Sequence, residues 1–152
     1  MFDIEHTPDA LRITMSPSFE NIDRADDLCA QELDRRQVPV NAFAVRILLR
    51  EAALNAVTHG CREAPEGQVR MALVFATDEV KLIVEDNGPG FVWENREAGF
   101  DVTGDGGRGL PLMKTYASQV TFNEAGNRVE LSVRHELTPP AACVICKNGR
   151  TV

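Results

Sequence analysis

Glu51 and Asn55 are the first pair of residues in this sequence whose types and spacing suggest chemistry. They lie four residues apart in a helix-like stretch, so their side chains would project from the same side of a helix, one turn apart. The Glu51 carboxylate can accept a proton, and the Asn55 amide oxygen can ligate a hard cation. By itself the pair is more typical of a solvated helix face, and further motifs are needed to decide between the two interpretations.

A second candidate is Asp86, which ends a strand-like run and is followed by Asn87-Gly88-Pro89-Gly90. If it is buried, its carboxylate is an acceptor-only group that can receive a hydrogen bond from the amine of a ligand. Taken alone, an acidic residue before this tetrapeptide is better explained as part of a turn that contains glycine and proline.

A glycine-rich loop, Gly106-Gly107-Arg108-Gly109, precedes a helix-like segment. Backbone N–H groups at a helix N-terminus form an anion site when no Cβ blocks the approach, and the helix dipole favours the anion further. Arg108 could add a direct charge to a phosphate, or it could lie in solvent. Without the other motifs, the loop would be interpreted as a flexible connector.

The order and spacing of these three motifs resemble those of the histidine-kinase-like (GHKL) ATPases, and most closely those of the small serine kinases that act as anti-sigma factors. The resemblance covers about residues 9 to 136. It implies an α+β fold, a two-layer α/β sandwich of the Bergerat ATP-binding type. Helices would cover one face of a mixed, mostly antiparallel sheet, and ATP would be bound together with Mg²⁺.

The resemblance also implies a role for each motif. Glu51 would be the general base that takes the proton of an attacking serine hydroxyl, and Asn55 would ligate Mg²⁺ beside the phosphates. Asp86 would accept a hydrogen bond from the adenine amine. His59, one turn beyond Asn55, would contact the phosphates or the lid, or else bond to local backbone. The residues implied for ATP binding are Asn55, His59, Asp86, Gly88, Gly90, Gly107, Arg108, Gly109 and Leu110.

Two stretches depart from the pattern of the related kinases. Those kinases often carry Asn-Gly-Thr before the last strand, and its threonine helps to seat adenine through water. Here the stretch is Ala125-Gly126-Asn127-Arg128, so either Asn127 substitutes or the contact is absent. The tail also contains Cys143 and Cys146, a CxxC pair without a second ligand pair, and two incidental thiols explain it better than half of a zinc site.

Composition limits the classes of function. The 152 residues carry 16 Lys and Arg against 23 Asp and Glu, a net charge of −7, which argues against a protein that binds nucleic acid through a basic face. No run is apolar enough to span a membrane, and the acidic N-terminus lacks the plan of a signal peptide. Four scattered cysteines suit a reducing compartment, so we expect a cytoplasmic protein.

The elements that must position the motifs follow from hydrophobic periodicity. Strands are predicted by alternation and helices by apolar residues at three- and four-residue spacings. The stretch that contains Glu51 is predicted to be a helix ended by Gly60 in a left-handed conformation. One domain, residues 1–137, is expected before a loosely held tail, 138–152. The predicted elements, in chain order, are an early edge strand at 9–16, a helix at 20–37, the helix that contains Glu51 and ends at residue 60, and a hairpin over 69–75 and 80–84. An irregular segment at 92–106, a helix at 108–118 and a closing hairpin over 120–122 and 128–134 follow.

The resemblance further implies a function and partners. We expect an ATP-dependent protein serine kinase of the anti-sigma type that holds a sigma factor or another regulatory target and phosphorylates an antagonist with the STAS fold. Homodimers are usual among such kinases. The main alternative is a non-catalytic ATP-sensing module that sequesters a partner. The catalytic domain of a two-component histidine kinase is less well matched, because one domain leaves no room for a segment that carries a phospho-acceptor histidine.

Overall fold

A computed structural model describes three stretches of the chain, residues 1–61, 66–88 and 109–136. Within them the backbone forms six strands, three α-helices and one π-helical turn. In chain order these are β1 (Phe2–Thr7), β2 (Ala10–Met15), α1 (Phe19–Arg35), α2 (Ala42–Asn55), the π-helical turn (Ala56–Gly60), β3 (Val69–Phe75), β4 (Glu79–Asp86), α3 (Gly109–Tyr116), β5 (Gln119–Phe122) and β6 (Arg128–Arg134).

The six strands form one sheet in the order β1-β2-β3-β4-β6-β5, and every pairing is antiparallel. The central strand β4 shows strict alternation, with Val80, Leu82 and Val84 buried and the residues between them half-buried. Successive strand side chains point to opposite faces, so one face of the sheet is apolar and the other is polar. The apolar face is the one on which a core can form.

The helices cover that apolar face. α2 packs on β4 and β6, with α1 on one side of it and α3 on the other. Its buried residues, such as Val45, Leu48 and Leu49, recur at three- and four-residue spacings and join the buried strand residues in one core. The Asn41 side chain accepts a hydrogen bond from the N–H of Ala44 and so caps the start of α2. This architecture confirms the predicted two-layer α+β fold.

The sheet has one strand more than the sequence patterns predicted. The expected edge strand at residues 9–16 is present as β2, but it lies between β1 and β3, and β1 is the edge. Most side chains of β1 are exposed, and the strand is held by its backbone pairing with β2. Its apolar alternation is limited to Phe2 and Ile4, which is too short a pattern to predict a strand from the sequence.

The remaining predictions for elements agree closely with the structure. α1, both predicted hairpins and the helix that begins near Pro111 are present within two residues of the expected bounds. The predicted irregular segment 92–106 and the tail with Cys143 and Cys146 lie outside the described residues. No helix among the residues described is both long enough and apolar enough to cross a bilayer.

Candidate functional site

α2 carries Glu51 and Asn55 on successive turns, as predicted. Their neighbours Ala52 and Ala53 are buried against the core, which holds the helix in place and leaves Glu51 and Asn55 half-buried. The two side chains border different depressions. Asn55 lines a cleft between α2 and the sheet, whereas Glu51 lines a neighbouring groove beside α1. The last two turns of α2 therefore form the rim between these depressions.

The chain does not end α2 as the sequence suggested. After Asn55 it widens into the π-helical turn, in which the N–H of Cys61 donates to the carbonyl of Ala56 at 2.8 Å. His59 lies half-buried within this turn. Short π-helical segments are rare and occur frequently at functional sites. The turn moves the chain from the end of α2 to the end of β4.

The prediction that Gly60 adopts a left-handed conformation is wrong. Among the residues described, positive φ angles occur at Gln37 and Gly126, and Gly60 remains within the π-helical turn. Glycine is required there for a different reason. A Cβ on Gly60 would overlap the carboxylate of Asp86, so the turn can lie against that side chain only without one.

Asp86 is the last residue of β4 and is only 7% exposed. Its Oδ1 accepts a hydrogen bond from the N–H of Gly88 at 2.8 Å. Burial raises the pKa of the Asp86 carboxyl above its ordinary value, and the hydrogen bond from Gly88 opposes that rise. A carboxylate buried at the end of a cleft, with acceptor capacity beyond this one bond, is suited to receive a donor from a ligand.

Gly88 is held as closely as Gly60. A Cβ at this position would overlap the carbonyl of Gly60, so the chain after β4 and the π-helical turn are in direct backbone contact. The two glycines thus both pack against the Asp86 carboxylate. Gly88 is needed for this packing, whatever part it also has in approaching a ligand.

The cleft combines apolar walls with a polar end. Ala52 and Ala56, on the α2 side, are small enough to leave space above the core. Apolar walls with a few polar groups are typical of ligand pockets, but this cleft encloses only about 20 Å³, so its walls must move apart before a flat heterocycle can enter. The lining residues are Ala52, Asn55, Ala56, Val84, Asp86, Met113, Phe122, Gly126, Asn127, Arg128 and Val129.

Asn127 is hydrogen-bonded directly to the backbone of Asp86. Its side-chain Nδ2 donates to the carbonyl of Asp86 at 3.0 Å, and its own carbonyl accepts from the N–H of Asp86 at 3.0 Å. The Asn127 Oδ1 in turn accepts from the amide of Asn123 at 2.7 Å. Gly126 supplies the left-handed residue of this turn, with φ of 81°. Through these hydrogen bonds, Asn127 holds the β5–β6 turn against the end of β4.

Several cleft residues were not predicted from the sequence. Met113 and Phe122 were assigned only to elements. Asn123, which donates to the side chain of the cleft residue Asn127, was not considered. An apolar residue in a predicted helix carries no mark of facing a cleft, but the Asn123 and Asn127 pair around a glycine is a turn signal that could have been used. Of the predicted glycine-loop residues, Gly109 and Leu110 begin α3, whereas Gly90, Gly107 and Arg108 lie outside the described residues.

The close packing at Gly60 leads to a prediction. We expect Gly60→Ala to lower the free energy of unfolding by about 1–3 kcal/mol, because the added methyl group forces Asp86 or the turn to move. Urea unfolding would measure this. Equal stability of the Gly60→Ala and wild-type proteins would contradict the packing described here.

Comparison with known proteins agrees with this fold. Residues 8–133 match the model of the histidine kinase-like ATPase domain family, and the chain belongs to that family. It is similar to the serine-protein kinase RsbW of Bacillus subtilis, with 29% identity over 98 residues, 58% of this chain and 61% of the relative. The RsbW of Staphylococcus epidermidis is 27% identical over 97 residues, 57% of this chain and 61% of the relative. The matched part thus spans about three fifths of these relatives.

Proposed function

We propose that this protein is an ATP-dependent serine kinase that phosphorylates another protein. The observation that supports this most is the juxtaposition at the end of α2. There a cleft that contains a buried carboxylate meets a groove that contains a second carboxylate. A kinase needs two such openings, one for the nucleotide and one for the acceptor, with the phosphoryl group transferred between them.

In the proposed complex, the walls of the cleft move apart and adenine occupies it. Asp86 accepts a hydrogen bond from the exocyclic amine of adenine, while the ring lies between the small residues of α2 and the side chain of Met113. We propose that Asn127 contacts adenine where related kinases use a threonine. Because its amide already bonds to the carbonyl of Asp86, a contact to adenine would use its remaining N–H or a bridging water.

Asn55 is the proposed protein ligand of Mg²⁺. Its side chain lines the cleft next to the helix end, and an amide oxygen is a suitable donor for this hard cation. Among the residues that the structure describes, no group of three or more His, Cys, Asp or Glu side chains could hold a metal. Mg²⁺ typically keeps few protein ligands and completes its shell with phosphates and water. When bound, the ion neutralises charge on the phosphates.

Phosphoryl transfer in this proposal needs one proton acceptor. The serine oxygen of the acceptor forms a bond to the γ-phosphorus, and the bond from that phosphorus to the β,γ-bridging oxygen breaks, leaving ADP. The hydroxyl proton passes to the carboxylate of Glu51, which stands one turn before Asn55. The N-terminus of α3, with Gly107, Arg108, Gly109 and Leu110 before and within it, is the proposed phosphate cradle, and His59 is a further candidate for phosphate contact.

The resemblance to anti-sigma kinases extends the proposal to partners. The acceptor would be an antagonist with the STAS fold, and the kinase would hold a sigma factor or another regulatory target when the antagonist is phosphorylated. The two relatives are named as serine-protein kinases, which supports the type of acceptor residue. We also propose that the protein acts as a homodimer, as related kinases do.

A transfer assay tests the proposal. The protein would be mixed with Mg²⁺ and γ-labelled ATP, together with the STAS-domain protein encoded nearest to it, and label would be followed. We expect label on a serine of the STAS protein, none with Glu51→Ala, and much less with Asp86→Asn at an ATP concentration that does not saturate the variant. ATP binding without transfer would favour the ATP-sensing module that sequesters a partner. Absence of ATP binding would exclude both functions.

A further inference from the structure

The groove beside Glu51 has an apolar end that the catalytic proposal does not use. Phe43, Ile47 and Glu51 follow one another at four-residue spacing, so they form one stripe along α2. Phe43 is 59% exposed, and Ile47 is half-buried. The stripe leads from two apolar side chains to the proposed base. It is then continued by Asn55, one turn farther, at the rim of the cleft.

The groove is large enough to receive part of another protein. It encloses about 550 Å³ and is lined by residues of α1 and α2, namely Asp26, Ala42, Phe43, Arg46, Ile47, Arg50 and Glu51. This volume lies within the range of ordinary binding pockets. One edge of the groove is extended by α3, because the ring of Tyr116 lies edge-on to the ring of Phe43 at a centroid distance of 5.6 Å.

The floor of the groove is held rigid by ion pairs between the two helices. Arg46 donates to both carboxylate oxygens of Asp26, at 2.8 and 3.0 Å, and Arg50 donates to Asp23 at 2.9 Å. Asp26 is buried, whereas the side chains of Arg46 and Arg50 remain 42% and 46% exposed. Both arginine side chains therefore keep exposed surface, to which acidic side chains of a partner could bind.

We infer that this groove seats the acceptor protein and that Phe43 is a positioning residue that determines which acceptor is phosphorylated. The inference rests on the proposed kinase function. The acceptor's hydroxyl must reach Glu51, which lines this groove and not the nucleotide cleft, so the chain that carries the serine lies along the groove. A chain that reaches Glu51 along the groove would also contact Phe43 and Ile47.

The geometry specifies the chemistry of that partner. Phe43 and Glu51 are eight residues apart, which corresponds to about 12 Å along a helix. The acceptor should therefore present an apolar side chain about 12 Å from its phosphorylated serine, and acidic side chains near Arg46 and Arg50. An acceptor with this pattern would bury the exposed ring of Phe43, which is the kind of aromatic anchor that dominates binding at protein interfaces.

The test compares Phe43→Ala with Phe19→Ala in the transfer assay. Phe19 is matched in type and is 65% exposed, but it begins α1 and does not line the groove. With saturating ATP and the STAS-domain protein as acceptor, Phe43→Ala should raise KM for the acceptor at least tenfold, with kcat changed by less than about twofold. Phe19→Ala should leave KM unchanged, and Phe43→Leu should restore most of the loss.

Each other result would overturn the inference in a recognisable way. If wild-type protein transfers label and Phe43→Ala has an unchanged KM for the acceptor, the groove does not seat the acceptor, and the proposed kinase function still stands. An equal rise in KM with Phe19→Ala would do the same. A change from dimer to monomer in Phe43→Ala, measured by sedimentation, with KM unaffected would assign the stripe to a second copy of the chain. Absence of transfer by wild-type protein would remove the proposed function itself.

Discussion

Glu51→Gln is expected to abolish phosphoryl transfer while leaving ATP binding nearly unchanged. The amide has the size of the carboxylate but cannot accept the serine proton, and loss of a general base typically costs about 10²–10⁴ in rate. Glu51 borders the groove rather than the cleft, so its replacement should not disturb the seat of adenine. Glu51→Ala should lose transfer in the same way. Single-turnover transfer and calorimetric titration with ATP would measure the two properties separately.

A matched control distinguishes this effect from a general loss of charge. Asp34→Asn removes a carboxylate from an exposed position on α1, and it should transfer label at the wild-type rate. Normal turnover by Glu51→Gln would show that another group takes the proton. Loss of both ATP binding and transfer would show instead that Glu51 supports the fold of the cleft.

Asp86→Asn is expected to weaken ATP binding by about tenfold to 150-fold. A hydrogen bond to a charged group is worth about 1.5–3 kcal/mol, and every 1.4 kcal/mol is a factor of ten in affinity. The amide of the variant could also direct N–H groups at the adenine amine, where only an acceptor is useful. Titration with ATP at constant Mg²⁺ would measure the change, and unchanged affinity would show that Asp86 does not contact the base.

The same variant should be more stable than the wild type at neutral pH. Because burial raises the pKa of Asp86, the folded protein holds the proton more tightly than the unfolded chain does, and ionisation at pH 7 lowers the free energy of unfolding. The gain from Asp86→Asn should therefore be present at pH 7. It should shrink as the pH falls through the raised pKa and vanish below the ordinary value of 3.8.

Urea unfolding of both proteins at several pH values would measure this difference in stability. Asp3→Asn is a suitable control, because Asp3 is exposed on β1, a strand that does not pair with β4. Its substitution should give no comparable gain at pH 7. A loss of stability in Asp86→Asn at pH 7 would contradict the cost of burying this carboxylate.

The sequence by itself determined most of the architecture. Alternation in β3 and β4 and three- and four-residue spacings in α1 and α2 are local patterns, since one buried face of an element dictates them. The order of the motifs around Glu51, Asp86 and Gly107 was enough to identify the family. In contrast, β1 was missed because most of its side chains are exposed, so no buried face imposes a long hydrophobic alternation on its sequence.

Only the tertiary structure decided how the motifs meet. The sequence predicted that Gly60 ends a helix, but its constraint comes from Asp86, 26 positions later in the chain. Likewise, Asn127 is tied to the backbone of Asp86 across 41 positions, and Glu51 lines a groove made with α1. Local spacing records which face of an element is buried. It does not record which residue of a distant element lies against that face, because such contacts arise only when the whole chain packs into one core.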